Sequence, residues 1–306
     1  MTDTTLHTTH ATGAEKLRGH LAMVGFALLI AGSFTLGKLT APHIGAAPVN
    51  AVRFAAAALF MGVIAFGIQR QPMRLPVAPW RYALLSLLMA WYFLSMFIAL
   101  KVTSPVATAA VFTLTPLVTA VIAFAVLRQR TGPGMATVLA IAAAGAVWVI
   151  FRADIGAILG FRVGEGEAIY FTGCVCHALF TVLLRLFGRG EPLAVSTFWI
   201  ALGNAAWLTL FGAGEIVATD WAHLPAIVWL AVAYLAIFPS AITLALMQYA
   251  AHRLPASKVM AYGYLVPVFV LVQQGTLGLG WPTGPVLAGI AVIGLAMIII
   301  QTLPDR

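Results

Sequence analysis

Along the chain, apolar residues come in long blocks, and polar residues fall between the blocks rather than alternating within them. An α-helix needs about 20 residues, at about 1.5 Å each, to cross the hydrocarbon core of a bilayer. Blocks of this kind occupy residues 21–41, 49–68, 80–100, 104–127, 133–151, 167–187, 194–214, 224–249, 255–279 and 284–303. The pattern predicts an all-α integral membrane protein with ten transmembrane helices. Lys16 and Arg18 precede the first block as they would a signal peptide. That block is longer than a typical signal region, and no convincing small-x-small cleavage site lies near its end, so it is read as a retained helix. Residues 1–20, rich in Thr and His and without periodicity, predict a disordered polar tail.

Composition sharpens this picture. Hydrophobic residues make up 62% of the chain and charged ones 8%, against about 25% charged in soluble domains, so lipid is the main solvent. The net charge of +8 would suit a nucleic-acid partner, but the basic residues are scattered singly between apolar blocks. No basic patch with interleaved aromatics exists, which excludes that class. The expected partners are the lipid bilayer and a small molecule. With the N-terminus inside, the inner segments carry Lys16, Arg18, Arg70, Arg74, Arg81, Arg128, Arg130, Arg185, Arg189, Arg253 and Arg306, and the outer ones only Lys101, Arg152 and Arg162. Eleven against three predicts that both termini are cytoplasmic.

Two proline settings point to an internal repeat. TLTPLVTA, around Pro116, and GYLVPVFV, around Pro267, lie in similar apolar runs. Aligning them brings Ala99-Leu100 opposite Ala250-Ala251. A one-residue slip brings Thr131-Gly132-Pro133 opposite Thr283-Gly284-Pro285, and Phe34-Thr35-Leu36 matches Phe180-Thr181-Val182. The repeats are expected at 21–151 and 167–303 within one membrane domain. Each holds five helices, an odd number, so the second copy enters the membrane from the opposite side. Such inverted repeats suit two-sided access to a midplane site. Pro116, Pro239 and Pro267 lie inside spans, where each frees a carbonyl and bends the helix. They serve either as packing kinks or as paired bends around a central cavity.

FIALKVTSPVATAAVFTLTPLVTAVIA, residues 97–123, resembles the third-to-fourth helix region of the drug/metabolite transporter superfamily, in its ten-helix EamA-type exporter branch. PVNAVRFAAAALF at 48–60, with Arg53-Phe54, is similar to that family's second helix, and HALFTVLLR at 177–185 to the start of its second repeat. The resemblance covers essentially the whole membrane portion. It implies a transporter whose relatives handle amino acids, nucleotide-linked compounds, cationic drugs and other metabolites. Ala31 and His177 stand where the family often has tryptophan, and Arg128-Gln129-Arg130 follows the fourth helix where a glutamate is common.

Polar residues inside the spans carry the substrate argument. Every Asp and Glu, Glu167 among them, falls in a tail, a connection or a span edge, which argues against a pump for cationic drugs built on a buried carboxylate. Tyr170, Cys174, His177 and Thr181 follow i, i+4, i+7 and i+11 and share one helix stripe, which lipid would not tolerate. His177 either braces a neighbouring helix or contacts substrate or protons. Cys174 and Cys176 point to different faces, so neither metal nor disulfide is expected, and no cofactor. Trp91, Tyr92 and Ser95 in the third span and Tyr234 and Phe238 in the eighth are midplane groups that either fill a core or wall a cavity suited to flat or apolar side chains. Thr108, Thr115 and Thr119 share a face of the fourth span, although threonine hydroxyls often bond their own backbone.

Lys38, Arg53 and Lys258 are cations within spans. They either snorkel to the headgroups or attract carboxylates along the pathway. Lys258 and Tyr262, at i and i+4, share one face toward the inner side. The candidate substrate-binding set is Ser33, Trp91, Tyr92, Ser95, Thr115, Tyr170, His177, Thr181, Tyr234, Phe238, Lys258 and Tyr262. The expected function is export of small metabolites, foremost neutral or aromatic amino acids, by alternating access across a bacterial inner membrane. An exporter of other metabolites or drugs, or a metabolite channel, is the alternative. The spans hold no carboxylate pair, metal motif or nucleophile motif of an intramembrane enzyme.

Overall fold

A computed structural model describes residues 13–128, 132–251, 253–254 and 256–302. The tail through residue 12, Arg130, Thr131 and Arg306 lie outside the described residues. Among the described residues every regular element is helical. The bundle helices are α1 (Gly13–Thr40), α2 (Ala46–Ile68), α3 (Trp80–Val102), α4 (Pro105–Leu127), α5 (Pro133–Ile150), α6 (Glu165–Phe187), α7 (Leu193–Phe211), α8 (226–251), α9 (256–276) and α10 (Gly284–Thr302). Apolar side chains such as Leu59, 73% exposed, and Leu230, 63% exposed, line the outside, while Arg53 is buried. That distribution needs lipid as its solvent.

The structure departs from the sequence reading at two helices. α1 begins at Gly13, not at residue 21, so residues 13–20 are helix rather than tail. Glu15 favours the positive N-terminal end of the helix, and it bonds Arg18 on the same face and Arg253 after α8, at 2.9 Å. Nine described helices are long and apolar enough to cross a membrane. The ninth expected span is instead assembled from Ala256–Ala261, a 3₁₀ turn Tyr262–Leu265 and Val266–Thr276.

Proline explains the interruption and shows the repeat. In α4, Pro105–Phe112 stops, two residues intervene, and Thr115–Leu127 resumes with Pro116 in its first turn. In α9, Pro267 occupies the same place in Val266–Thr276. The residues ahead of the two resumed helices, Leu114 (φ −77°, ψ −18°) and Leu265 (φ −79°, ψ −15°), have nearly the same backbone angles. Pro239 sits in a π-helical stretch, Phe238–Ile242, within α8. A proline without an N–H at a helix start costs no hydrogen bond, so each break is placed where the chain tolerates it.

Packing repeats as well. α3 lies against α6, as α8 does against α1; α4 against α6, as α9 against α1; and α3 against α7, as α8 against α2. The pairs α2–α7, α4–α9 and α5–α10 map onto themselves under the same exchange. Two five-helix units related by a pseudo-twofold axis account for every one of these contacts. At the α5–α10 crossing, a Cβ on Gly145 would stand 2.9 Å from the Gly289 carbonyl oxygen, and one on Gly289 would stand 3.0 Å from that of Gly145, so the two backbones touch. Trp148 Nε1 donates to the Pro285 carbonyl at the same seam, at 2.8 Å.

Each end of the bundle is tied by polar contacts. At the Thr40 end, Lys38 Nζ donates to the carbonyls of Leu100 and Thr103 (2.9 and 3.0 Å), and Thr103 Oγ1 donates to Glu167 (2.6 Å). At the Gly13 end, Arg81 donates to the Val77 and Phe187 carbonyls and to Glu191. Short helices in the Thr40-end connections, Ile155–Leu159 capped by Asp154 and Ala213–Ala218, are too brief to leave a periodic signal in the sequence.

Candidate functional site

The stripe on α6 meets a matching face of α3. Gly173 makes the approach possible, because a Cβ there would stand 2.0 Å from Ser95 Oγ. Tyr170 Oη donates to Tyr92 Oη at 3.1 Å, and the Tyr92 ring lies 4.7 Å from the His177 ring, centroid to centroid. Phe112, the last residue before the α4 break, lies 6.1 Å from His177 and 6.0 Å from Phe34 of α1, which in turn lies 6.2 Å from Tyr170. Rings from four helices therefore enclose two hydroxyls and one imidazole. His177 Nδ1 is buried and has no hydrogen-bond partner among the described residues. It does not brace another helix through that atom.

The remaining candidates separate into groups. Ser95 and Thr115 are buried near this cluster on α3 and α4, with Ser95 Oγ donating to the Tyr92 carbonyl at 3.0 Å. The Thr181 hydroxyl donates back to the His177 carbonyl at 2.9 Å, and those of Thr108 and Thr119 likewise bond the preceding turn. Ser33 is buried on α1 beside Gly32. Tyr234 crosses over Gly32 to donate to the Leu29 carbonyl at 3.0 Å, and Phe238 stacks on it at 4.9 Å. Tyr262 and Lys258 are buried nearer the Gly13 end, where Tyr262 Oη meets His20 Nδ1 at 2.7 Å. Trp91 does not join any of these groups. It is 40% exposed on the perimeter, with Nε1 donating to Thr172 Oγ1 at 2.9 Å. Neighbouring helical residues diverge by about 100°, so Tyr92 faces inward while Trp91 faces out.

The embedded cations do not snorkel as a class. Lys38 caps the carbonyl end of α3, Arg53 is buried among rings, and Lys258 is 7% exposed. Glu167, assigned from sequence to a span edge, is buried at 2% in the first turn of α6. Phe34, Phe112, Phe93, His20 and Gln273 were missed; Gln273 accepts from Thr35 Oγ1 at 2.7 Å and ties α9 to α1. Only Phe34 left a usable sign, because its repeat mark pairs it with Phe180, which also lies near His177, at 6.3 Å.

Among the described residues no group of three His, Cys, Asp or Glu side chains is placed to hold a metal, and Cys174 and Cys176 are free thiols. A cavity of about 440 Å³ opens between the loops around His43 and His223 at the Thr40 end, and shares no residue with the ring cluster.

The profile of the EamA-like transporter family matches twice, over residues 17–151 and 165–302. A curated relative from Bacillus subtilis (strain 168), described as "Uncharacterized transporter YyaM", is 28% identical over 296 residues, covering 94% of this chain and 93% of its own. A protein crystal structure, 22% identical, superposes with a TM-score of 0.67 over 94% of this chain and 98% of its own. At that identity the likeness speaks for the fold alone.

Proposed function

The chain belongs to the EamA-like transporter family, and from that premise we propose that it exports neutral or aromatic amino acids by alternating access. The observation that carries this reading is the ring cluster between α3 and α6, in which Tyr92, Tyr170 and His177 present polar atoms within an aromatic wall. Flat or apolar side chains pack well against rings, and a few convergent polar groups fix their orientation. Among family members, the bacterial aromatic amino acid exporters are the subgroup this wall suits best. Ser33, Ser95, Thr115 and Thr181 border the pathway in this reading. Tyr234 and Phe238 line its middle, and Lys258 and Tyr262 its inner gate.

The protein spans the membrane many times, and we assign it to the bacterial plasma membrane with the Gly13 end in the cytoplasm, where Arg70, Arg74, Arg81, Arg185, Arg189 and Arg253 gather. Rocking of one repeat against the other, with bends at Pro116 and Pro267, would expose the cluster to each side in turn. Uptake by proteoliposomes of a panel of labelled amino acids, with and without a pH gradient, tests the substrate. Saturable uptake of phenylalanine, tryptophan or leucine supports the reading, and uptake indistinguishable from empty liposomes across the panel ends it.

A further inference from the structure

A charge inside a membrane bundle is costly and is normally met by an opposite charge or by carbonyls. Lys38 has its two carbonyls, and Arg81 has two carbonyls and a carboxylate. Arg53 on α2 has neither. It is 1% exposed, and no carboxylate pairs with it among the described residues. Its Nε has no hydrogen-bond partner, and the one hydrogen bond found for it, from Nη1 to Asn50 Oδ1, is long at 3.4 Å. Rings surround the guanidinium instead: its central carbon lies 4.4 Å from the Phe93 centroid, 4.6 Å from Phe54 and 6.0 Å from Phe97. Ring faces attract a cation but offer no lone pair to its five N–H donors.

We propose that Arg53 is the receptor for a carboxylate on the transported molecule. The guanidinium fork matches a carboxylate in plane and spacing, and the missing acceptors are what such a ligand brings. The site is continuous with the aromatic wall. Phe93, against which Arg53 packs, lies 4.7 Å from the Tyr92 ring. A carboxylate held at Arg53 therefore leaves the rest of an amino acid beside Tyr92, Tyr170 and His177. The guanidinium is sealed in this conformation, so loading requires α2 and α3 to part as the repeats rock. The inference rests on the transport reading for its setting, but the carboxylate assignment does not depend on the ligand being an amino acid.

The test uses full-length protein, wild type, Arg53→Met and Arg53→Lys, with matched probes: phenylalanine, phenylalaninamide and 3-phenylpropionate. Thermal unfolding of each protein alone and with each probe is measured, followed by proteoliposome uptake. The expected wild type prefers the two carboxylates over the amide by about tenfold or more, because a site built around a hydrogen-bonded group rejects analogues that lack it. Arg53→Met is expected to unfold at or above the wild-type temperature while losing that preference, since removing an uncompensated buried charge outweighs the loss of its one long hydrogen bond to Asn50. Arg53→Lys is expected to keep part of it. Equal handling of acid and amide by the wild type overturns the inference and leaves amino acid transport standing. An Arg53→Met protein that keeps the preference, or that unfolds well below the wild type as a lost structural brace would, also overturns it. Recognition of phenylpropionate without any amino acid removes the substrate reading and keeps Arg53 as a carboxylate receptor. If no carboxylate binds or moves, both fall.

Discussion

At the scale of single residues, the structure turns on which atoms are left without partners. His177 Nδ1 is one, held beside the Tyr92 ring. Because nothing pairs with it, His177→Leu strands no partner, and its effect on stability is expected to stay within about 1 kcal/mol. Uptake is expected to fall at least about tenfold in the same purified protein, if the imidazole holds substrate. Normal uptake would remove His177 from the site. The stripe of Tyr170, Cys174 and His177 was legible because its spacing is helical and its polarity forbids lipid. Trp91 was not. In a helix apolar on nearly every side, the pattern cannot say which way it is turned, and only the packed bundle, which buries Tyr92 and leaves Trp91 at the perimeter, separates the two. The ring cage around Arg53 was hidden for a similar reason, since Phe93 reaches it from a different helix.

Whole elements are fixed by where backbones can touch. At the α5–α10 seam, Gly145 and Gly289 leave no room for a side chain. Gly145→Leu is expected to cost about 1–3 kcal/mol in unfolding measurements on the purified protein, as overpacking does. Gly214→Ala, at an open position, should change nothing measurable. At the Gly13 end, the loop after α6 is tied to α3 by Arg81 and Glu191, 3.0 Å apart. Partial desolvation pushes the Glu191 carboxyl up, but hydrogen bonds from the Arg189 and Glu191 backbone amides and from the Arg81 side chain outweigh it, so the group lies below its ordinary value. A folded value below the unfolded one, about 4.3, stabilises above that pH and loses its effect as pH falls through the folded value. The stability difference between wild type and Glu191→Gln, of order 1 kcal/mol at pH 7, should shrink steadily below about pH 4. A difference that grows on acidification would contradict this. The proline breaks were legible as bends. The 3₁₀ and π stretches beside them were not, since they depend on how neighbouring helices satisfy freed carbonyls.

For the whole molecule, the all-helical membrane architecture, the order of its helices and the twofold repeat could be read from block lengths and paired prolines, because lipid imposes length and polarity on every span. The start of α1 could not, since Glu15 and Arg18 read as tail until Arg253 is placed beside them. Orientation is open to direct test. In a Cys174→Ala, Cys176→Ala background, single cysteines replacing Arg74 or Arg189 should react with an impermeant maleimide only from the cytoplasmic side, and those replacing His43 or Gly214 only from outside. Reaction of both sets from one side would contradict ten crossings with the Gly13 end inside. The central claim, a carrier that presents one site to the two sides alternately, is tested most directly by counterflow. Proteoliposomes are loaded with unlabelled phenylalanine and diluted into a trace of labelled phenylalanine. The account predicts a transient accumulation of label above its equilibrium level, abolished when the vesicles are loaded with buffer alone. Entry of label that only approaches equilibrium, whatever is inside, would instead describe a channel.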